Sequence, residues 1–166
     1  MTEENKKTVL VIGGDAAGMS FASKVKREQP EWDVRVLERG EHTSYSACGI
    51  PYFVSGRVDE LEKLEIVTPE QFREKRGIEV HMGWEATSIN RHEKTVLAKN
   101  VRGNGEKEFS YDTLMIATGA DATKPPIGGL YLDGVFTVRN LVDAGKIHSF
   151  IRSEEHTSEL QSLLII

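Results

Sequence analysis

The stretch Val9-Leu10-Val11-Ile12-Gly13-Gly14-Asp15-Ala16-Ala17-Gly18 decides the fold. Its run of apolar residues predicts a buried strand of a parallel sheet, and the glycines that follow predict a tight turn into a helix. Gly13 permits the turn, and Gly18 allows the helix to pack closely. Because the N–H groups at the start of a helix are free, they can bind a pyrophosphate. The stretch therefore predicts a dinucleotide-binding loop.

The residues that follow continue the pattern of a β–α–β unit. Apolar residues at helical spacing from Phe21 onward predict a helix that ends before Pro30. Residues 34–37 predict a second strand, and Glu38 stands at its end. This glutamate follows Gly18 by about 20 residues, the spacing at which a carboxylate accepts hydrogen bonds from an adenosine ribose.

One residue departs from the usual loop pattern. Asp15 occupies the position of the middle glycine in Gly-x-Gly-x-x-Gly. A glycine-rich loop alone is also typical of an ordinary strand-to-helix turn. The interpretation therefore depends on the strand, loop, helix, strand and terminal acid occurring in this order. The motif leaves open which dinucleotide binds.

The chain contains a single cysteine, Cys48, in the segment 44–53. A polar, glycine-flanked segment can present a thiolate, whereas a structural cysteine is more often buried in an apolar element. Pro51 suits the first turn of a helix, so the sulfur is expected near the positive end of a helix dipole, which favours a reactive thiolate. Taken by itself, Cys48 is better explained as an ordinary loop thiol, and only the neighbouring motifs favour a reactive one.

Further along, the sequence alternates between helix and strand signals. Thr68 and Gln71 form a predicted capping box, and Gly77 ends the short helix before a strand over residues 78–82. Three more short strands alternate around polar turns and predict an antiparallel meander inserted in the α/β domain. These predicted strands cover residues 86–89, 95–101 and 107–111.

Composition and charge restrict the class of protein. The 166 residues are 39% hydrophobic and 28% charged, as in a globular protein with one sizeable core. The net charge of −5 does not favour binding to nucleic acid or to an anionic membrane. The chain start lacks the apolar core of a signal peptide, and no apolar run approaches membrane-spanning length. The histidines have no metal-ligand spacing, and the unpaired thiol fits the cytoplasm, so we predict no metal site and a cytoplasmic protein.

A second glycine turn completes the motif set. Residues 111–119 form a polar lead-in, a short strand and the turn Ala117-Thr118-Gly119. Together with residues 13–18, Glu38, 44–52 and 68–73, they make the chain resemble the flavin-dependent pyridine nucleotide-disulfide oxidoreductases. Within that family it is similar to the single-cysteine branch of coenzyme A-disulfide reductases, NADH oxidases and polysulfide reductases. The resemblance covers roughly residues 8–151.

The resemblance implies a fold and a set of cofactors. The fold is α/β, a Rossmann-like FAD-binding domain of the ββα type with a parallel sheet and an inserted antiparallel β-meander. FAD is the implied cofactor, and NAD(P)H is the implied reductant of the full-length enzyme. By position, the cofactor-binding residues are Gly13, Gly14, Ala16, Ala17, Gly18, Glu38, Arg39, Ala117, Thr118 and Gly119.

The resemblance also assigns Cys48 as the catalytic residue. The glutathione reductase branch carries a second cysteine where this chain has Phe53, so no internal redox disulfide can form here. The remaining chemistry is a mixed disulfide with a small thiol or a sulfenic acid. The implied activity is reduction of coenzyme A disulfide, or of a related disulfide or persulfide. An NADH oxidase or peroxidase, and a nucleotide-binding fragment without activity, are the alternatives.

The implied substrate is a small disulfide, coenzyme A disulfide in the first place. By position, its binding residues are Ser20, Lys24, Arg27, Ser44 and Arg76. Lys24 replaces a neutral amide that is common in the family, and Ala47 replaces a frequent asparagine. For Lys24, a solvated surface cation is an equally good interpretation.

The domain organisation is expected to be incomplete. Residues 1–124 are the predicted FAD-binding domain, residues 125–151 the start of a truncated nicotinamide-binding domain, and residues 152–166 a non-native tail. Residues 152–162 resemble the translation of a sequencing-library adapter. Family members continue into a nicotinamide-binding domain, a second flavin-binding segment and a dimerisation domain. A homodimer is therefore expected of the full-length enzyme only, and the sequence leaves open the choice between NADH and NADPH.

Overall fold

The computed structural model describes residues 6–153. The chain divides into two compact units. Of the described residues, unit 1 comprises residues 6–45 and Glu65–Gly119, and unit 2 comprises Ser46–Leu64 and residues 120–153. The second part of unit 2 begins close to the predicted domain boundary after residue 124. Ser46–Leu64, which the sequence places in the FAD-binding domain, groups with unit 2.

The order of elements agrees with the order of the sequence signals. In chain order, the strands and helices are β1 (Thr8–Ile12), α1 (Ala16–Glu28), β2 (Asp33–Glu38), α2 (Ile50–Val54), α3 (Pro69–Arg76), β3 (Ile78–Met82), β4 (Trp84–Asn90), β5 (Thr95–Asn100), β6 (Glu106–Ser110), β7 (Thr113–Ile116) and α4 (Leu141–Arg152).

A parallel sheet forms the middle of unit 1. Its strands lie in the order β3-β2-β1-β7, and all neighbouring pairs are parallel. In register, Val11 of β1 lies between Val36 of β2 and Met115 of β7. The central position of β1 explains its uninterrupted apolar sequence, since a central parallel strand is covered on both faces.

The two faces of this sheet pack against different layers. On one face, Val9 and Val36 pack with Met19 and Ala22 of α1 and with Phe72 of α3. On the other face, alternate residues of β1 and β2 pack against the antiparallel meander, in a core of Leu10, Ile12, Leu37, Val96, Ala98 and Phe109. Unit 1 is therefore a layered structure of helices, parallel sheet and antiparallel sheet. This architecture confirms the predicted ββα-type fold.

The helix and strand boundaries follow local signals. The capping box predicted at Thr68 and Gln71 is present, and Gly77 ends α3 in the left-handed conformation with φ 61°. The meander has the order β4-β5-β6, with its strands one or two residues away from the predicted bounds. Its register is irregular between Ala86 and Ser88, which is typical of a β-bulge.

Unit 2 contains two helices. Pro51 lies in the first turn of α2, as predicted, and α2 is only five residues long. The side chain of Asn140 caps α4 by accepting a hydrogen bond from Asp143 N at 3.0 Å. The rings of Phe53 and His148 lie 4.5 Å apart between the two helices. Of the predicted non-native tail, Arg152 ends α4 and Ser153 caps it, and the rest lies outside the described residues.

Candidate functional site

The glycine loop after β1 is built around two close backbone approaches. Gly13 has φ 104°, and a Cβ on it would lie 2.2 Å from the carbonyl oxygen of Ala117. A Cβ on Gly18 would lie 1.9 Å from the carbonyl oxygen of Gly13. Both distances are far below any allowed contact, so only glycine fits at either position. The two roles predicted for these glycines agree with this geometry.

The loop and the second glycine turn meet at one edge of the sheet. Ala117 N donates to the carbonyl oxygen of Ile12 at 2.8 Å, which extends the pairing of β1 and β7. Ala16 and Ala17, in the first turn of α1, are exposed at the same loop. Because the first N–H groups of a helix have no intrahelical acceptor, this end of α1 offers donors to an anion.

Glu38 anchors the loop in addition to ending β2. Its Oε2 accepts a hydrogen bond from Gly14 N at 2.7 Å, and its Oε1 accepts one from Gly40 N at 2.6 Å. A carboxylate has about four acceptor positions, so Glu38 keeps capacity for a ribose hydroxyl. Arg39, the next residue, lies 3.8 Å from Glu85 and is about half exposed.

A pocket of about 440 Å³ lies in unit 1, beside the start of α1. Serines and arginines from α1 and α3 contribute its polar lining, together with residues of the segment around Ser44. The lining residues are Asp15, Ala16, Met19, Ser20, Ser23, Arg27, Ser44, Tyr45, Ile66, Phe72 and Arg76. The pocket thus brings together all the residues that the resemblance assigns to the substrate except Lys24.

Ser44 is held in the pocket wall by its backbone. Its φ is 50°, a left-handed conformation that is uncommon for a residue other than glycine. Ser44 N donates to the carbonyl oxygen of Gly14 at 3.1 Å, and its own carbonyl oxygen accepts from Ile66 N at 2.9 Å. Strained backbone that is fixed from both sides is a feature of ligand-binding segments.

The charges at the pocket are mixed. Arg27 and Arg76 contribute positive charge, and Asp15 contributes a carboxylate at the N-cap of α1. Asp15 does not cap the helix with its side chain, and its Oδ1 is buried without a hydrogen-bond partner among the described residues. A ligand donor group would satisfy this oxygen.

Lys24 lies outside the pocket lining. Its ammonium is 2.5 Å from Glu28 Oε1, one helical turn further along α1, and both side chains are more than half exposed. The hydrogen bond from Lys24 lowers the pKa of Glu28 from its ordinary value. Its role in substrate binding stays a prediction, and the structure shows it as a surface ion pair.

Cys48 lies in unit 2, in a 3-10 turn over Ala47–Gly49 that leads into α2. Its thiol is exposed, and Sγ lies 3.2 Å from Ser46 Oγ. Ser46 N donates to the carbonyl oxygen of Leu64 at 2.8 Å. A Cβ on Gly49 would lie 2.5 Å from Leu64 Cδ2 and 3.4 Å from Ser46 Oγ. The absence of a side chain at Gly49 therefore keeps room for the Leu64 side chain beside the turn that carries Cys48.

Ser23 and Ser46 were not singled out from the sequence. Ser23 falls on the apolar face of α1 by helical spacing, where a serine gives no signal of its own. Ser46 stands two residues before the cysteine, but spacing alone does not say that its hydroxyl turns toward the sulfur. A search for polar residues within two positions of the thiol would have found Ser46.

The part of the chain from residue 6 to residue 153 contains no group of three or more His, Cys, Asp or Glu side chains that could hold a metal ion. It also contains no helix that is long and apolar enough to cross a membrane.

Comparison with known proteins identifies relatives of the chain. The NAD(P)H sulfur oxidoreductase (CoA-dependent) of Pyrococcus abyssi is 45% identical over 146 residues, which are 88% of this chain and 32% of that protein. The coenzyme A disulfide reductase of Staphylococcus haemolyticus is 33% identical over 145 residues, 87% of this chain and 32% of that protein. The crystal structure of reduced Bacillus anthracis CoADR-RHD matches with TM-score 0.86 and 32% identity, over 91% of this chain and 27% of that chain.

The matches cover most of this chain but only part of each relative. The chain spans about a third of the length of the curated relatives it matches. A family model described as pyridine nucleotide-disulphide oxidoreductase matches residues 7–166, nearly the whole chain. With its glycine loop, its layered fold and its relatives, the chain therefore belongs to the pyridine nucleotide-disulphide oxidoreductase family.

Proposed function

We propose that the protein reduces coenzyme A disulfide, or a related disulfide or persulfide, with NAD(P)H as the reductant. The observation that carries this proposal is the pocket of unit 1, which Arg27 and Arg76 both line. Arginine suits phosphate because its planar guanidinium donates two parallel hydrogen bonds to it. Coenzyme A carries several phosphates, so its disulfide matches the positive charge of these two side chains. The relatives whose names include coenzyme A support the same substrate class.

We infer that FAD is the resident cofactor. The glycines at 13 and 18 let the loop approach the second glycine turn and the start of α1 closely, and the start of α1 offers N–H donors to a pyrophosphate. Glu38 keeps acceptor positions for a ribose, and Arg39, Thr118 and Gly119 belong to the same proposed site. When bound, FAD supplies two-electron transfer between NAD(P)H and a disulfide.

Cys48 is the proposed nucleophile. Its thiolate attacks one sulfur of the substrate, the substrate S–S bond breaks as a bond to Cys48 Sγ forms, and the other half leaves as a thiolate. The chain contains one cysteine, so no second cysteine within it can resolve the mixed disulfide. The coenzyme A half therefore stays on Cys48 until two electrons, which come from NAD(P)H, break the mixed disulfide and release coenzyme A and the Cys48 thiol.

The test is Cys48→Ser in the full-length protein, with Ser110→Ala of the exposed end of β6 as the control. We expect Cys48→Ser to abolish NAD(P)H-dependent release of thiols from coenzyme A disulfide, because the nucleophile is lost. Flavin absorbance of the purified protein should be unchanged, because none of the proposed FAD contacts involves Cys48. Continued thiol release by Cys48→Ser would overturn the proposal.

An NADH oxidase or peroxidase is the second candidate, and the exposure of the Cys48 thiol favours it. The thiolate would attack one oxygen of peroxide, the O–O bond would break as the S–O bond forms, and the products would be a sulfenic acid on Cys48 and water. Mass spectrometry without reductant distinguishes the two functions. A disulfide reductase should carry coenzyme A on Cys48, whereas an oxidase or peroxidase should carry a single added oxygen there. NADH consumption that depends on peroxide or oxygen, and not on coenzyme A disulfide, would also favour the second.

We further propose that the full-length protein is a homodimer, as the family resemblance implies, and that it is cytoplasmic, as the unpaired thiol suggests. Binding of nucleic acid is not part of the proposal, because the net charge of −5 gives no general attraction to it. Size-exclusion chromatography with light scattering on the full-length protein tests the dimer. A monomer at micromolar concentration would contradict it.

A further inference from the structure

We propose that Ser23 is a positioning residue that holds Arg76 ready for the phosphate-bearing half of the substrate. The inference rests on the proposed function, because it concerns the same pocket. Arg76 Nη1 donates a hydrogen bond to Ser23 Oγ at 2.8 Å. Ser23 is 6% exposed, so its hydroxyl is fixed inside the protein, whereas Arg76 belongs to the exposed end of α3.

A second contact fixes the same guanidinium. Arg76 Cζ lies 5.1 Å from the centroid of the Phe72 ring, one helical turn earlier on α3. Phe72 is 1% exposed and belongs to the core against α1, so the ring cannot move away from its position. A cation over a buried aromatic face is attracted by the ring quadrupole. The guanidinium is therefore held by one hydrogen bond and by one ring.

The helical spacing places these groups on one pocket. Ser20, Ser23 and Arg27 recur at three- and four-residue spacing on α1, and all of them line it. Phe72 and Arg76 line it from α3. Ser23 is thus the link through which α1 orients the arginine of the neighbouring helix.

The charge of Arg76 remains available to a ligand. Within residues 6–153, Arg76 forms no ion pair with a carboxylate, and Ser23 accepts from only one of its N–H groups. A guanidinium has five N–H donors, so most of them remain free for an anion. Phosphate is the anion that this planar donor group fits best.

The restriction of Arg76 before a ligand arrives affects the affinity for that ligand. An exposed arginine loses rotamer freedom when it binds a ligand, and this loss weakens binding. Because Ser23 and Phe72 already restrict Arg76, less freedom remains to be lost. Ser23 should therefore act on the affinity for the phosphate-bearing substrate and leave the chemistry at Cys48 unaffected.

The test compares two substrates of the full-length enzyme. Coenzyme A disulfide carries the phosphates, whereas pantethine has the same disulfide arms without them. We expect Arg76→Ala to raise KM for coenzyme A disulfide roughly tenfold, and Ser23→Ala to raise it about three- to fivefold. In both variants, kcat and the KM for pantethine should stay unchanged, and Ser23→Thr should restore the KM because it keeps the hydroxyl.

The double variant Ser23→Ala/Arg76→Ala provides the decisive comparison. If Ser23 acts through Arg76, the KM of the double variant for coenzyme A disulfide equals that of Arg76→Ala alone, because no arginine remains for Ser23 to position. Ser23→Cys replaces Ser23→Ala if the latter does not fold, since a thiol fills the same space and accepts hydrogen bonds weakly.

The outcomes distinguish an error in the proposed substrate site from an error in the proposed role of Ser23. If Arg76→Ala changes KM for both substrates equally or for neither, the proposed substrate site is wrong. If Arg76→Ala raises KM for coenzyme A disulfide alone but Ser23→Ala leaves that KM unchanged, the proposed substrate site is supported and the proposed role of Ser23 is wrong. The role of Ser23 would also be overturned if Ser23→Ala raised the KM for pantethine as much as the KM for coenzyme A disulfide. The same holds if the effect of Ser23→Ala on KM added fully to that of Arg76→Ala in the double variant.

Discussion

At the scale of single residues, the contact between Ser46 and Cys48 bears most directly on reactivity. Ser46 Oγ lies 3.2 Å from Cys48 Sγ, so its hydroxyl can donate to a thiolate. Hydrogen bonds to a charged group are stronger than those between neutral groups, although exposure to water weakens this one. We predict that Ser46→Ala slows alkylation of Cys48 by iodoacetamide at pH 7 roughly three- to tenfold. Mass spectrometry of timed samples measures the rate.

The control is Ser55→Ala, in the same unit. Its hydroxyl donates to the carbonyl oxygen of Tyr52 at 3.1 Å, whereas the sulfur of Cys48 contacts the hydroxyl of Ser46. The control variant should react at the rate of the unchanged protein. Equal rates for Ser46→Ala and the unchanged protein would show that the serine does not stabilise the thiolate.

At the scale of elements, the junction of β1 with α1 depends on Gly18. A Cβ there would lie 1.9 Å from the carbonyl oxygen of Gly13, and backbone atoms cannot turn aside as a flexible side chain can. We predict that Gly18→Ala moves α1 away from the loop and lowers the free energy of unfolding by at least about 2 kcal/mol. The amount of flavin that the full-length protein retains should also fall. Urea unfolding and flavin absorbance measure the two effects.

Gly103→Ala is the matched control for this substitution. Gly103 has no atom within 4 Å of an added Cβ, so the same chemical change meets open space. Its variant should keep the stability and the flavin content of the unchanged protein. If Gly18→Ala behaves like Gly103→Ala, the close approach of helix and loop is not required.

At the scale of the whole molecule, His81 links folding stability to pH. It stands on β3, and its ring lies 5.0 Å from that of Phe109, in the layer between the two sheets of unit 1. Burial lowers the pKa of His81 below the ordinary 6.5, and Lys107 and Arg35 lower it further, while Glu79 and Asp33 oppose them. The folded protein therefore holds this ring neutral.

The sign of the effect follows from proton uptake. Below pH 6.5 the unfolded chain protonates this histidine while the folded protein resists it, so the free energy of unfolding falls as pH decreases from 7 to 5. We predict that His81→Gln flattens this pH dependence, whereas the exposed His92→Gln leaves it unchanged. Urea unfolding at several pH values measures the slope. An unchanged slope in His81→Gln would contradict the assignment.

Much of the fold could be predicted because its signals are local. A central parallel strand must be apolar throughout, and helix ends need caps, so β1 and the capping box at Thr68 are visible in the sequence. The meander could be predicted from its alternation. The grouping of Ser46–Leu64 with unit 2 could not, since it depends on contacts with residues far along the chain.

The sequence by itself determined the glycine loop, the single thiol and the family, because each depends on residue type and order. Only the tertiary structure decided which polar groups meet. It joins Ser23 to Arg76 across 53 positions and places Ser46 Oγ beside the Cys48 sulfur, while Lys24 turns to Glu28. The physical reason is that a side chain's partner depends on how neighbouring helices pack and on which rotamer remains free. Neither is fixed by spacing along one element.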